Sequence, residues 1–193
     1  MPPASTANAS GQTLIGASGT VYVGTPGATI TAPTVQGAAV DTDLVEVGFI
    51  SEDGVKFRDS KDVGALRAWQ TPYDVRRFVT GRNFEVEFSM EQWNWHTLPF
   101  AFGGGTLTEP TPGNYKYVPP DADELDERAL VIDWVDGTRD YRLWIPKGIV
   151  TTAVEVNVKR DEGAMFPITF GAIFDGTNPA FTIFTDDAAF EVA

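Results

Sequence analysis

The segment Asn83–Met90 alternates without a break: Phe84, Val86, Phe88 and Met90 fall on one side, and Asn83, Glu85, Glu87 and Ser89 on the other. A period of two sends successive side chains to opposite faces of a strand, so this segment predicts one dry face and one wet, acidic face. The same period recurs along the chain. Val45, Val47 and Phe49 share a face, Glu52-Asp53-Gly54 signals a turn, and Val55 and Phe57 begin a return strand. Leu130, Ile132 and Trp134 alternate with Val131, Asp133 and Val135, and Asp136-Gly137 turns the chain into Tyr141, Leu143 and Ile145. Val154, Val156 and Val158 form another alternating run, as do Phe166, Ile168, Phe170, Ala172 and Phe174, and Phe181–Phe184 reads as a last strand. On the order of ten strands at hairpin-like spacing predict a mainly β chain, an antiparallel sandwich or barrel.

Four stretches break the period. Ser89 with Gln92 matches a capping box, Glu91 suits a helix N-terminus, and Trp95, Leu98 and Phe102 stand at helical spacing. They predict one helix over 90–101 that flanks the sheet, ended or kinked by Pro99 and broken by Gly103-Gly104-Gly105. Residues 103–127 read as a long loop, and Asp59–Gly64 as a second, shorter one. Residues 1–43 form an N-terminal arm, rich in Ala, Thr, Gly, Ser and Pro and uncharged as far as Val40. Only Thr20-Val21-Tyr22-Val23 within it reads as a strand. Such an arm cannot build a core alone, but an uncharged surface is easily buried at an interface. Residues 44–193 are expected to be the β-domain.

Composition excludes several classes of function. The 193 residues suit one domain, and 42% hydrophobic content argues against wholesale disorder. There is no cysteine, and His96 is the only histidine, so thiolate chemistry and any site needing two imidazoles are excluded. Lys and Arg total 14 against 27 Asp and Glu, a formal charge of -13. Such a chain should repel nucleic acid, because binding a duplex requires cations that displace its counterions. Beyond Arg160 there is no Lys or Arg, yet Asp161, Glu162, Asp175, Asp186, Asp187 and Glu191 follow. The N-terminus lacks the basic start and apolar run of a secretory signal, and no apolar run approaches the roughly 20 residues of a membrane span. The Asn8-Ala9-Ser10 sequon is accordingly read as chance.

No motif assembles into catalysis. The triple glycine lacks a following Gly-Lys-Ser/Thr, so it is a helix stop rather than a phosphate loop. Gly16-Ala17-Ser18-Gly19 does not match a nucleophile elbow. His96 has no acid beside it in sequence and reads as a packing or surface residue. Asp121, Asp123, Glu124, Asp126 and Glu127 lack calcium-loop spacing and read as a solvated acidic loop. Glu85 and Glu87 lie roughly 6 to 7 Å apart on one strand face, with no cleft to make them a glycosidase pair. Trp69, Trp93, Trp95, Trp134 and Trp144 are candidate core or subunit-interface aromatics, since stacking on single strands would need a basic groove. No cofactor is expected.

In the order of its parts the chain resembles the major tail tube proteins of long-tailed bacteriophages, especially those of actinobacteria. The residues that carry the resemblance are Val47-Gly48-Phe49-Ile50-Ser51-Glu52-Asp53-Gly54-Val55, Ala68-Trp69-Gln70, Val75-Arg76, Thr80-Gly81, the Phe84–Phe88 strand and the helix leading into Phe102-Gly103. The acidic hairpin at Asp136-Gly137, the run Ile145-Pro146-Lys147-Gly148 and a final aromatic strand continue it, across residues 40–185. The resemblance implies a β-sandwich or half-open barrel with one flanking helix and a structural, non-enzymatic role. It further implies hexameric rings stacked into a tube in the virion tail, assembled in the host cytoplasm. The implied partners are other copies of the chain, a tape measure protein, a tail terminator and baseplate or distal tail proteins, with DNA only in transit. Some members carry an added immunoglobulin-like domain; none is expected here, nor is decoration of the tube exterior. Glu85, Glu87 and Asp133 are candidate lumen-facing acids, because an acidic wall repels phosphate within a Debye length of about 8 Å. The alternative is that they face outward and aid solubility. Other functional readings are a head decoration or tail terminator protein, or a carbohydrate-binding β-sandwich that uses exposed tryptophans.

Overall fold

The computed structural model describes residues 13–25, 29–121, 124–161 and 163–191. The Asn8 sequon, the start of the arm, Asp123 and Glu162 lie outside the described residues. The strands are β1 (Ser18–Gly24), β2 (Leu44–Glu46), β3 (Lys56–Arg67), β4 (Asp74–Met90), β5 (Thr106–Thr111), β6 (Asn114–Val118), β7 (Arg128–Asp136), β8 (Arg139–Val150), β9 (Phe166–Ala172) and β10 (Thr182–Thr185). The helix, α1, is Thr97–Ala101. The main sheet runs β2-β1-β7-β8-β9-β4-β3, with β10 added to β8, and its pairings are antiparallel. β5 and β6 form a separate hairpin.

The sheet curls nearly shut. Val47 N–H donates to Val21 on β1, and four residues later Ser51 N–H donates to Ser89 on β4, while Ile50 bridges Met90. A single short segment therefore spans from one end of the strand order to the other and half-closes a barrel. Gly48 makes the crossing at φ 83, where a side chain is disfavoured. It also explains why Phe49 departs from the predicted face: the twist at Gly48 leaves Val47 buried and Phe49 exposed.

Inside the barrel Phe84, Val86, Phe88 and Met90 meet Phe166, Ile168 and Phe170, with Leu130, Ile132, Leu143 and Ile145 from β7 and β8. The strand in the arm belongs to this body, because β1 lies between β2 and β7 with Val21 and Val23 buried. A smaller apolar cluster covers the outer face of β7 and β8. There Ile30, Val40 and Phe184 pack over Leu44, Ala129, Val131 and Trp144.

Several local expectations are corrected. The helix begins at Thr97 rather than 90, because the β alternation continues through Met90, which is buried and paired with Phe166. Long-range pairing on both edges of that strand end outweighs a local capping box. Asn94 instead closes the turn, its Oδ1 accepting from the N–H groups of His96 and Thr97 at 2.8 and 2.9 Å. Pro99 then sits in the first helical turn, where its missing N–H costs nothing. The 103–127 loop contains the β5–β6 hairpin, and its three glycines, at φ 73, 114 and 95, supply the reversal that leads into it. Asp59–Gly64 is strand, held in the ladder opposite β4 with Asp59 paired to Arg82. Val154–Val158 is not strand. β8 and β9 already have partners on both edges, so the segment has no ladder to join; Val154 and Val156 still lean on the core while Val158 is exposed.

Candidate assembly surface

β3 and β4 form a ribbon that outruns the body. β9 pairs with β4 only from Glu85 to Met90, whereas β3 follows β4 as far as the Arg67–Asp74 pair. Beyond Asn83 the hairpin is thus two-stranded, extending roughly 25 Å at about 3.3 Å per residue. Both of its faces are open. Val63 stands opposite Val79 on one face, and Leu66 and Phe78 fall on the other; all four are exposed. Trp69 at the tip is fully exposed and Tyr73 nearly so. A two-stranded hairpin alone in water is marginal, and β3 is an edge strand with unpaired backbone groups.

The ribbon is also the basic part of the molecule. Lys56, Arg58, Lys61, Arg67, Arg76, Arg77 and Arg82 face only Asp59, Asp62 and Asp74 within residues 56–82. Seven of the 14 cations therefore lie here with three of the 27 acids, a net +4, and the rest of the chain carries -17. Arg82 grips Asp59 through two bonds of 2.9 Å, and Arg67 and Arg77 share Asp74 at 3.1 Å each. These pairs are solvent-exposed and contribute little to stability. Arg58, Lys61 and Arg76 have no counterion in hydrogen-bonding contact among the described residues.

The three candidate acids lie on the outer face of the sheet, but not together. Glu85 and Glu87 are on β4, and Asp133 is on β7, with β8 and β9 between them. None is a bare acid. Lys56 Nζ donates to Glu87 at 2.6 Å, and this hydrogen bond holds the carboxyl below its ordinary range. Glu85 accepts from Asn83 at 2.8 Å and faces Arg58 across the ladder. Asp133 receives two 2.6 Å bonds from Arg142, whose buried guanidinium also reaches the Ala38 carbonyl at 2.7 Å. That pairing fastens residues 29–41 over β8.

The tryptophans divide. Trp144 is buried at 4% exposure, its indole N–H without an acceptor among the described residues. Trp134 stacks on Tyr141 with ring centroids 5.4 Å apart and touches Phe57 at the same distance. Trp93 packs on Phe166 and donates to the Ala164 carbonyl, yet half of it is exposed, and Trp95 and Trp69 are exposed outright. His96 lies against Trp95, and burial, aided by the Arg128 charge, lowers its pKa from the ordinary value.

Both ends of the described chain fasten to the β7–β8 turn. Asp136 accepts from Ile15 N–H and from Arg139, and Arg139 also donates to the Thr13 carbonyl and to Asp187. Tyr141 donates its hydroxyl to Asp187 at 2.6 Å. That bond is the main reason the Asp187 pKa is lowered, with the Ala189 N–H assisting. Sequence reasoning singled out neither this clasp nor the basic ribbon. The second was visible as the run of cations between Lys56 and Arg82.

No group of three metal-ligating side chains occurs among the described residues. Two open depressions measure about 250 and 310 Å³, and the paired Lys56 and Glu87 are among the residues lining the second. A curled antiparallel sheet with a protruding two-stranded ribbon and bare apolar side chains has the surface of a protein that packs against others. A family model described as phage tail tube protein matches residues 6–193, and the chain belongs to that family. It is accordingly a non-enzymatic structural component of the virion tail that associates with itself. Comparison with curated proteins gave no match.

Proposed function

We propose that this subunit forms hexameric rings that stack into a tube, and that the tube is the channel for DNA delivery to the host. The observation that carries the reading is the β3–β4 ribbon. Its exposed Val63, Leu66, Phe78 and Val79 and its open edge are liabilities in a monomer and are covered in an assembly. The N-terminal arm, which lies along its own sheet, offers its uncharged outer surface to neighbouring copies. A tape measure protein occupies the channel during assembly, and a tail terminator and baseplate or distal tail proteins close the ends.

In this reading the outer face of β4 looks into the lumen, with Glu85 and Glu87, and Asp133 further round the wall. Lys56 and Arg142 temper that surface, so phosphate is kept from sticking without being strongly driven away. Electron microscopy of the purified protein tests the assembly. Tubes or stacked rings are the expected result, and a persistent monomer that binds glycans overturns it. A density map of the tube tests the lumen, where a basic wall would sink the assignment of these acids.

A further inference from the structure

We propose that copies of this chain stack head to tail, with the basic tip of the β3–β4 ribbon seated on an acidic, apolar patch at the opposite end of β4 of the next copy. The inference rests on the self-assembly reading and names the two surfaces that meet. β4 is 17 residues long, so its ends lie roughly 50 Å apart at about 3.3 Å per residue. At the Asp74 end stand Arg67, Arg76 and Arg77 with exposed Leu66 and Phe78. At the Met90 end stand Glu52, Asp53 and Glu91, all exposed, around an exposed Phe49. The patch is rigidly built. Glu91 N–H donates to the Phe49 carbonyl at 2.9 Å, and Gly54 N–H closes the Ser51–Gly54 turn onto the Ser51 carbonyl at 2.9 Å. Its three carboxylates have no ion-pair partner among the described residues.

Each end therefore pairs an apolar centre with charge, and the two ends carry opposite signs. That is the composition of an interface, an apolar core ringed by complementary polar groups. A phosphate backbone would satisfy the cations but leave the apolar side chains wet on both ribbon faces. A second copy satisfies both. A contact between two different surfaces of one molecule closes into a ring where its rotation closes and otherwise propagates as an open stack; here the two surfaces lie at opposite ends of one long strand, the placement that suits a stack.

A charge swap tests the pairing. Variant A carries Arg76→Glu and Arg77→Glu, so both ends are acidic. Variant B carries Glu52→Lys, Asp53→Lys and Glu91→Lys, so both ends are basic. All five sites are exposed, and each variant is expected to keep the unfolding midpoint of the parent. Alone, each should need about tenfold or more protein to assemble, because like charges now meet. Mixed in equal amounts, they should assemble as the parent does, since A and B ends are complementary. Assembly of A or B alone at the parent's concentration, or failure of the mixture to recover, overturns the proposal. So does a ribbon whose reversal abolishes binding to duplex DNA or anionic vesicles but leaves assembly intact. A parent that forms no tubes at all overturns the tube reading itself, a separate result.

Discussion

One strand passes through two environments. From Phe84 to Met90, β4 has β9 on one side, β3 on the other and a barrel interior beneath, and alternate residues are buried. From Asp74 to Gly81 the same strand has one neighbour and no layer on either face, and its side chains are largely exposed. Hydrophobic residues occur in both halves. The inner half uses them to stabilise the monomer, and the outer half holds them for contacts the monomer lacks. A buried side chain therefore reports on folding, and an equally apolar one in the ribbon reports on assembly.

Substitutions in the two halves should separate these roles. The largest effect is expected in the barrel. Phe170→Ala, at a fully buried site, should cost about 3–5 kcal/mol in urea-induced unfolding of the monomer. A loss no larger than that of a surface substitution would show that the barrel is not the stabilising unit. Next comes Asp133→Ala, which strands the buried Arg142 guanidinium and should cost about 2–3 kcal/mol by the same measurement. The partial exposure of Asp133 keeps this below the cost of breaking a fully buried pair. In the ribbon, Phe78→Ser should change monomer stability by no more than about 0.5 kcal/mol while sharply reducing tube formation in sedimentation. Equal loss of stability at Phe78 and Phe170 would erase the contrast between the halves.

The smallest effect concerns the carboxyl-terminal clasp. The folded pKa of Asp187 is lowered by the Tyr141 hydroxyl, so the clasp contributes fully above the ordinary carboxylate pKa. Its contribution is lost as pH falls through the depressed folded value. Hydrogen exchange at Ala189 should therefore rise below about pH 4, and Asp187→Asn should remove that dependence. Exchange that stays pH-independent after correction for the intrinsic rate would show that the clasp does not hold the segment.

Much of the body was legible in the chain. The alternation at Phe84–Met90, the Asp136-Gly137 turn and the aromatic run at Phe166–Phe170 all became the elements their period implied. The misplacements share one cause. Ser89-Met90 carries a helix-start signal, and Val154–Val158 a strand signal, each scored on local residues alone. Whether Met90 ends a strand depends on Ile50 and Phe166 waiting beside it. Whether Val154–Val158 joins the sheet depends on a free edge, and the neighbouring strands had none to offer. The alternation set Glu87 and Asp133 on the face opposite the barrel core, but their partners Lys56 and Arg142 come from other strands. Those pairings depend on register, which the local pattern does not state.

By itself the sequence determined which side chains alternate, where the chain turns, that no thiol or paired histidines exist, and that cations concentrate between Lys56 and Arg82. These are properties of nearest neighbours and of composition, and folding cannot alter them. Only the tertiary structure decided that Val47–Ser51 half-closes a barrel. It alone decided that Trp144 is interior while Trp69 is bare, and that opposite ends of β4 carry opposite charges. Those properties follow from which distant segments share an edge or a face, and the chain settles that only when the whole sheet forms at once.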